Sequence, residues 1–134
     1  KNLVMENKRL TKAEEEVMQQ LWELKEAFVN ELVEKFPDPK PAYNTVSTII
    51  RILEKKGFVA HRAFGKSHQY YPVQSKKEYA NKHFSHFIEN YFSNSYQSLV
   101  SFLTHHDKLD IKDMEAIRTL MDVEIKRQKG GQNG

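Results

Sequence analysis

The chain has 134 residues, a formal net charge of +3 and no cysteine. A chain of this length buries one ordinary core, or one compact unit with an appendage, which excludes two full catalytic domains. The absence of cysteine from the sequence excludes disulfides, thiolate zinc sites, iron–sulfur clusters and cysteine nucleophiles.

The chain begins with a charged, lysine-led segment, residues 1–9, which we treat as an N-terminal extension outside the fold. This segment lacks the apolar stretch of a secretory signal. No apolar run in the sequence reaches the ~20 residues that a membrane-spanning helix needs. We therefore expect a soluble, cytoplasmic protein that does not bind membranes directly.

Two helices are predicted between residue 11 and a proline-rich segment. Thr11 and Glu14 have the spacing of a capping box, in which each side chain accepts a hydrogen bond from the other residue's amide. Apolar residues then recur at helical spacing: Val17, Leu21, Leu24 and Phe28. A second helix is predicted over about residues 27–35. It ends before the prolines of residues 37–41, because proline breaks the helical hydrogen-bond pattern.

A third helix is predicted over about residues 42–56. It ends at Gly57, because glycine readily takes the left-handed conformation that follows a helix. One side is predicted to face the core: Tyr43, Val46, Ile49, Ile50 and Leu53. The opposite side carries amide, hydroxyl and cationic groups that suit base edges and phosphates in the major groove of DNA: Asn44, Thr45, Ser47, Thr48, Arg51 and Lys55. We therefore interpret this side as a DNA-contacting face rather than an ordinary solvated one.

A β-hairpin is predicted after the third helix. Aromatic and β-branched residues are frequent over residues 58–64 and 68–73, a short turn joins the two segments, and Pro72 is predicted to close the second strand. Three short helices followed by a hairpin are typical of a winged helix-turn-helix, which we assign to residues 10–74. The basic residues of the hairpin are predicted to lie along the DNA backbone or the minor groove: His61, Arg62, Lys66 and His68.

Charge is sorted by segment within this predicted domain. Residues 10–38 carry three lysines and eight acids, whereas residues 39–67 carry six lysines or arginines and one acid, Glu54. Basic side chains near phosphates supply the sequence-independent part of DNA affinity. The second segment is therefore the predicted contact surface.

The C-terminal half is predicted to be a helical dimerisation domain, residues 75–128. An aromatic helical stripe leads to a break near residues 93–95, and Asp110 is predicted to cap a last helix. A chain this short has no further layer to cover these apolar stripes, so a second copy is the predicted partner. Residues 129–134 are predicted to form a disordered tail. The predicted dimerisation residues are Phe84, Phe87, Tyr91, Leu99, Leu103, Ile117, Leu120 and Met121.

Six histidines raise the question of a metal site. His83 and His86 lie one helical turn apart, and His105 and His106 are adjacent, but no Glu-x-x-His signature accompanies them. The sequence also lacks a Gly-rich phosphate loop and a Gly-x-Ser-x-Gly motif. We therefore expect no metal, no cofactor and no enzymatic activity. The predicted fold class is mainly α with a small β-hairpin.

Three sequence blocks resemble those of the penicillinase repressor family. The first is LTKAE at residues 10–14, followed by Val17-Met18 and Leu21-Trp22. The second is YNTVSTII at residues 43–50 with LEKKGFV at residues 53–59, and the third is YYPV at residues 70–73. Together they cover about residues 10–75 in the order and spacing of that family.

The resemblance implies a homodimeric repressor that occupies a double-stranded DNA operator, often of β-lactamase or resistance genes. It also implies induction by a membrane sensor-protease that cuts the repressor inside its dimerisation region. The matching residues are Ser101 and Phe102, where the family's best-known cleaved bond joins Asn to Phe. A cut here would separate the DNA-binding half from the dimerising helices, and the linkage of two half-sites would be lost.

The sequence also leaves two alternative functions open. In a ligand-responsive winged-helix regulator, aromatic side chains would wall a small-molecule pocket: Phe84, Phe87, Tyr91 and Phe92. In a protein-interaction module, the winged helix would bind protein rather than DNA. Such a module would not be retained on heparin or on promoter fragments.

Overall fold

The computed structural model describes residues 9–133, and for residues 132 and 133 the backbone alone. The predicted N-terminal extension therefore lies outside the described residues, apart from Arg9. The described chain runs through three helices, a two-stranded hairpin and three more helices: α1 (Lys12–Leu24), α2 (Val29–Lys35), α3 (Tyr43–Lys56), β1 (Val59–Phe64), β2 (Ser67–Pro72), α4 (Lys76–Phe92), α5 (Tyr96–His105) and α6 (Ile111–Asn133). This order confirms the predicted fold class of a winged helix followed by C-terminal helices.

The start of α1 is fixed by the predicted capping box. The Thr11 hydroxyl accepts a hydrogen bond from the Glu14 amide at 3.2 Å, and the Glu14 carboxylate accepts one from the Thr11 amide at 3.0 Å. Two amides that the helix itself leaves without partners are satisfied in this way. The sequence prediction for this helix start is confirmed.

The second helix begins two residues later than the sequence predicts. The Ala27 amide donates to the Tyr70 carbonyl at 2.9 Å, and the Tyr70 amide donates to the Ala27 carbonyl at 2.8 Å. Because these groups pair with the second strand of the hairpin, Ala27 lies in a β-bridge, and α2 starts at Val29. The bridge connects the segment between α1 and α2 to the hairpin.

One apolar core joins the first three helices to the hairpin. Met18, Leu21, Leu32, Ile50 and Leu53 are fully buried in it. Val17, Val46 and Val59 complete its tightly enclosed part, and Phe58 and Tyr70 close the side nearest the hairpin. Burial of these side chains supplies most of the driving force that holds α3 in place. The opposite face of α3 is therefore held at the surface.

The hairpin is antiparallel and in a single register, from Val59 opposite Pro72 to Phe64 opposite Ser67. Its two-residue turn consists of Gly65 and Lys66. Gly65 has a φ of 61°, a conformation that costs glycine nothing and that a type II′ turn requires at its first central position. The strand ends at Pro72, as the sequence predicts.

The described residues divide into two compact units, with the boundary between Lys82 and His83. In the second unit Ser95 and Asp110 cap α5 and α6, since the Ser95 hydroxyl accepts from the Ser98 amide and the Asp110 carboxylate from the Asp113 amide. Ile88 is fully buried, whereas every described side chain of α6 except Glu124 is exposed. Within residues 9–133, none of the helices combines the length and the apolar character that a membrane span requires.

The last helix extends further than the sequence predicts. α6 continues through Gly130 and Gly131 to Asn133, whereas the prediction ended it at Gln128 and left a disordered tail. Glycine lowers helix stability by about 1 kcal/mol relative to alanine but does not block the backbone hydrogen bond, as proline does. With no proline after Gln128 in the sequence, the hydrogen-bond ladder continues.

Candidate nucleic-acid interface

The polar face of α3 lies at the surface. Ser47 is half-buried, and the other predicted contact residues of this helix are exposed: Asn44, Thr45, Thr48, Arg51 and Lys55. The buried residues Val46, Ile50 and Leu53 on the opposite side fix the rotation of the helix about its axis. The structure therefore brings the six predicted side chains of this helix together on one outward surface.

Arg51 is held against its own helix. Its Nη2 donates to the Ser47 hydroxyl at 3.1 Å, and its Nε donates to the Ser47 carbonyl at 3.3 Å. Both bonds span one helical turn, so the guanidinium lies along α3 rather than extending freely into solvent. The two bonds use Nε and Nη2, and Nη1 takes part in neither of them.

A groove of about 730 Å³ runs between α3 and the hairpin. From the helix side it is lined by Tyr43, Ser47 and Arg51, and from the hairpin side by Phe64, Lys66, Ser67, His68 and Tyr70. Four of the predicted contact residues, two from each element, thus share one concave surface. On the other side of Arg51, a smaller depression of about 280 Å³ is lined by Thr48, Ile52 and Lys55 as well as Arg51.

Two exposed aromatic residues of the groove, Tyr43 and Phe64, are not among the predicted contact residues. Tyr43 was assigned to the core side of α3, but 56% of its surface is exposed. It occupies the first turn of the helix, beyond the edge of the core, and faces the groove. Phe64 is 52% exposed at the end of β1, where its ring meets the edge of Phe28. The sequence signal that could have identified Tyr43 is its position directly before the predicted contact residue Asn44.

The hairpin presents a pair of histidines toward α3. The rings of His61 and His68 stack with centroids 4.0 Å apart, and Nδ1 of His61 lies 2.6 Å from the Glu54 carboxylate. Glu54 is the one acid in the basic segment, and its carboxylate is paired with His61.

The hydroxyl of Tyr70 also lines the groove. Burial raises the pKa of Tyr70; the nearby Glu54 and Tyr43 raise this pKa further, whereas Arg51 lowers it. Tyr70 therefore lines the groove as a neutral hydroxyl.

Arg62 lies apart from the groove. Its guanidinium pairs with the Glu26 carboxylate at 3.0 Å and lies 4.4 Å above the centre of the Tyr71 ring. It lines a different depression, together with Trp22, Tyr71 and Pro72. The structure thus does not bring Arg62 together with the other predicted contact residues.

Lys56, which contributes to the basic charge of the segment, is partly exposed and is also paired with a carboxylate. Its ammonium group pairs with the buried Glu14 carboxylate at 2.7 Å. Burial pushes the pKa of Glu14 upward, but hydrogen bonds from Lys56 and the Thr11 amide outweigh burial and bring the pKa below its ordinary value. The pair joins α1 to the end of α3 across 42 positions of sequence, so local sequence patterns gave no sign of it.

The residues predicted for cleavage and dimerisation lie in the second unit. Ser101 and Phe102 are exposed within α5, with Phe102 against Phe92. Three predicted dimerisation residues of α6 are exposed, Ile117 by 41%, Leu120 by 67% and Met121 by 54%, and so are Phe84, Phe87 and Tyr91 of α4. Leu99 and Leu103 are half-buried. Among the described residues, no three histidine, aspartate or glutamate side chains are grouped as metal ligands would be.

Comparison with known proteins gives one consistent family. A sequence model described as penicillinase repressor matches residues 10–123. The methicillin resistance regulatory protein MecI of Staphylococcus aureus strain N315 and that of Staphylococcus epidermidis are each 29% identical over 121 residues, which cover 88% of this chain and 98% of the relative. The corresponding protein of Mammaliicoccus sciuri is 28% identical over the same span.

Proposed function

Because the chain belongs to the penicillinase repressor family and is a transcriptional repressor, we propose that it binds operator DNA as a homodimer and is relieved by proteolysis. In this proposal the exposed face of α3 enters the major groove, and the hairpin, the wing, contacts the adjacent backbone. The relatives named as methicillin resistance regulators suggest antibiotic-resistance genes as the regulated class. As a regulator it would need no catalytic group, metal or cofactor.

The groove between α3 and the wing is the observation that carries the DNA-binding proposal. Arg51 from the helix and Lys66 from the turn line the same concave surface, with hydroxyls of Ser47 and Ser67 beside them. Cationic and hydroxyl donors converging on one groove match a phosphodiester backbone, whose oxygens accept from both. Asn44, Thr45, Thr48 and Lys55 lie on the exposed part of α3 next to this groove, where base edges would be read.

A homodimer is supported by the composition of α6. Apolar side chains that recur at helical spacing are exposed along its length: Ile111, Met114, Ile117, Leu120, Met121 and Ile125. An exposed apolar stripe of this length is costly in water, and a symmetric contact with a second copy is the commonest way to cover it. The exposed aromatic residues of α4 and the half-buried Leu99 and Leu103 would extend that contact.

Selection of DNA by the purified full-length chain tests the central proposal. Duplexes enriched from a random library are expected to contain two related half-sites in inverted orientation, because a two-fold dimer imposes its symmetry on the site. Affinity for the enriched duplex should fall ~10³–10⁵-fold between 50 and 200 mM salt if the dimer neutralises ~6–10 phosphates. Absence of any enriched duplex, with no retention on heparin, would contradict DNA binding and favour a protein-interaction module.

Arg51 and Arg62 form a matched pair for locating the interface. Arg51→Ala should weaken binding to the selected duplex by ~1–3 kcal/mol per half-site, because Arg51 lies on the proposed contact surface. Arg62→Ala removes the same charge from a side chain that pairs with Glu26 away from the groove, so a smaller loss is expected. Electrophoretic mobility shift titrations measure both. Equal losses for the two variants would mean that overall charge, rather than this surface, governs binding.

Relief by proteolysis is expected to cut between Ser101 and Phe102. Both residues are exposed, but they lie inside α5, so the helix has to unwind locally before a protease can bind the segment as an extended strand. Mass spectrometry of the repressor from bacteria exposed to a β-lactam should give two fragments that meet at this bond. A repressor that stays intact while its target genes are induced would refute this mode of control and favour a ligand-responsive regulator.

A further inference from the structure

Ile52 is an exposed apolar side chain of α3, and it is not among the predicted contact residues. Its surface is 42% exposed, whereas Ile50 and Leu53 of the same helix are fully buried. One helical turn before Ile52 lies the exposed contact residue Thr48. Isoleucine is a weaker helix former than leucine or lysine. An isoleucine at this exposed position therefore contributes little to the core or to the stability of the helix.

The surroundings of Ile52 combine apolar and cationic groups. With Thr48, Arg51 and Lys55 it lines the depression of about 280 Å³ on the side of Arg51 away from the wing. Arg51 and Lys55 supply two positive charges, and Ile52 and the methyl group of Thr48 supply apolar contact surface. All four side chains belong to α3, and the buried side of that helix fixes its rotation in the core. The depression is therefore a feature of one helix within the winged helix.

Duplex DNA offers such a surface one kind of apolar partner. In the major groove the base edges present hydrogen-bond donors and acceptors, and the apolar group among them is the C5 methyl of thymine. The phosphates that border the groove accept hydrogen bonds from lysine and arginine. An apolar side chain beside two cations, on a helix that enters the major groove, therefore matches a thymine methyl close to the backbone.

From this arrangement we infer that Ile52 is a specificity-determining residue, which reads a thymine in each half-site through its C5 methyl. The inference rests on the proposed function, in which the exposed face of α3 enters the major groove, and it adds one base that this face reads. Cytosine at the same position would place a polar amino group against the apolar side chain. Ile52 thus favours thymine by apolar contact, whereas its polar neighbours read bases by hydrogen bonds.

Deoxyuridine isolates this contact, because it pairs as thymine does and lacks only the C5 methyl. Each thymine of the duplex selected from the random library is replaced in turn, at the same position of both half-sites, and mobility shift titrations measure the affinity. For the unaltered chain, removal of one particular methyl should weaken binding about 4-fold per half-site, as expected for one buried methyl group. Ile52→Ala should bind the thymine duplex more weakly, and the same replacement should then cost less than about 1.5-fold per half-site.

A second variant and two controls separate this contact from other effects. Ile52→Gln keeps a long side chain but removes its apolar end, and it should lose the methyl effect as Ile52→Ala does. Thr48→Ser removes the neighbouring methyl group and keeps the hydroxyl, so it should retain the parent's loss at the sensitive thymine. Val73→Ala shortens an apolar side chain that is 59% exposed and lies outside α3, so neither affinity nor methyl effect should change.

Binding to a duplex of unrelated sequence checks that the variants are folded. Ile52→Ala and the unaltered chain should bind this duplex equally, because sequence-independent affinity comes from charge and the substitution removes none. A loss that appears on the selected duplex alone therefore reports base reading.

Two results would overturn the inference. One is a selected duplex that the unaltered chain binds with the same affinity after every thymine replacement, in which case DNA binding would stand but Ile52 would read no methyl group. The other is an undiminished methyl effect in both Ile52→Ala and Ile52→Gln, which would assign the contact to another residue. Failure of the unaltered chain to select any duplex would contradict the proposed function itself, and the inference with it.

Discussion

Replacing Ile117 and Leu120 together by glutamate is expected to convert the repressor to a monomer and to weaken operator binding by ~10²–10⁴-fold. The two side chains lie one helical turn apart on the exposed apolar stripe of α6. In a dimer the new carboxylates would have to lose their water without gaining a partner, which costs far more than the apolar contact contributes. Once the contact between the two subunits is lost, each subunit must bind its half-site independently of the other.

The measurement pairs sedimentation velocity with mobility shifts on duplexes that carry one or two half-sites. The double variant should keep the affinity of the parent chain for one half-site, because α6 lies outside the winged helix. Thr119→Glu places a carboxylate on the opposite side of the same helix, since a step of two positions turns it about 200° from Ile117. It should leave both mass and affinity unchanged. A double variant that remains dimeric would show that the α6 stripe is not the contact between subunits.

Lys56→Met is expected to lower the free energy of unfolding at neutral pH by about 2 kcal/mol. The substitution leaves the Glu14 carboxylate buried without the ammonium group that lies 2.7 Å from it. The cost should stay below that of breaking a fully buried pair, because Lys56 is partly exposed and Glu14 keeps its hydrogen bond from the Thr11 amide. Urea unfolding followed by circular dichroism measures the change.

The same pair predicts a pH dependence with a definite sign. The pKa of Glu14 is lower in the folded protein than its ordinary value of 4.5, so the folded state binds its proton less readily than the unfolded state. The stability that Glu14 contributes is therefore fully present above about pH 4.5 and is lost as the pH falls through the folded pKa. The stability difference between the parent chain and Lys56→Met should shrink in that range.

Lys55→Met is the matched control, because Lys55 is the neighbouring residue, on the exposed side of α3. Its stability should stay within about 0.5 kcal/mol of the parent, as for most surface substitutions. If Lys55→Met and Lys56→Met are equally stable, or if the deficit of Lys56→Met does not depend on pH, the Glu14–Lys56 pair does not stabilise the junction of α1 and α3.

The secondary structure of the first unit was predictable because its signals are local. The Thr11–Glu14 capping box, the left-handed Gly57 and the glycine turn of the hairpin each depend on residues no more than a few positions apart. The polar stripe of α3 follows from helical periodicity in the same way. Sequence alone therefore located the helix that presents the candidate interface, and the resemblance to the penicillinase repressor family on residues 10–75 indicated its role.

What sequence patterns could not supply were pairings between distant segments. Whether a lysine or arginine is available to DNA depends on the carboxylate that the fold places beside it: Glu14 beside Lys56, Glu26 beside Arg62. The backbone pairing of Ala27 with Tyr70 likewise makes α2 begin at Val29, two residues later than the sequence predicts. Helical periodicity and helix caps depend on residues that are close together in the sequence. The sequence by itself therefore determined the helices and strands of the first unit and the polar face of α3. Only the tertiary structure decided which lysines and arginines remain available at the candidate interface. The reason is that the attraction between two charges depends on their distance in space and not on their separation along the chain.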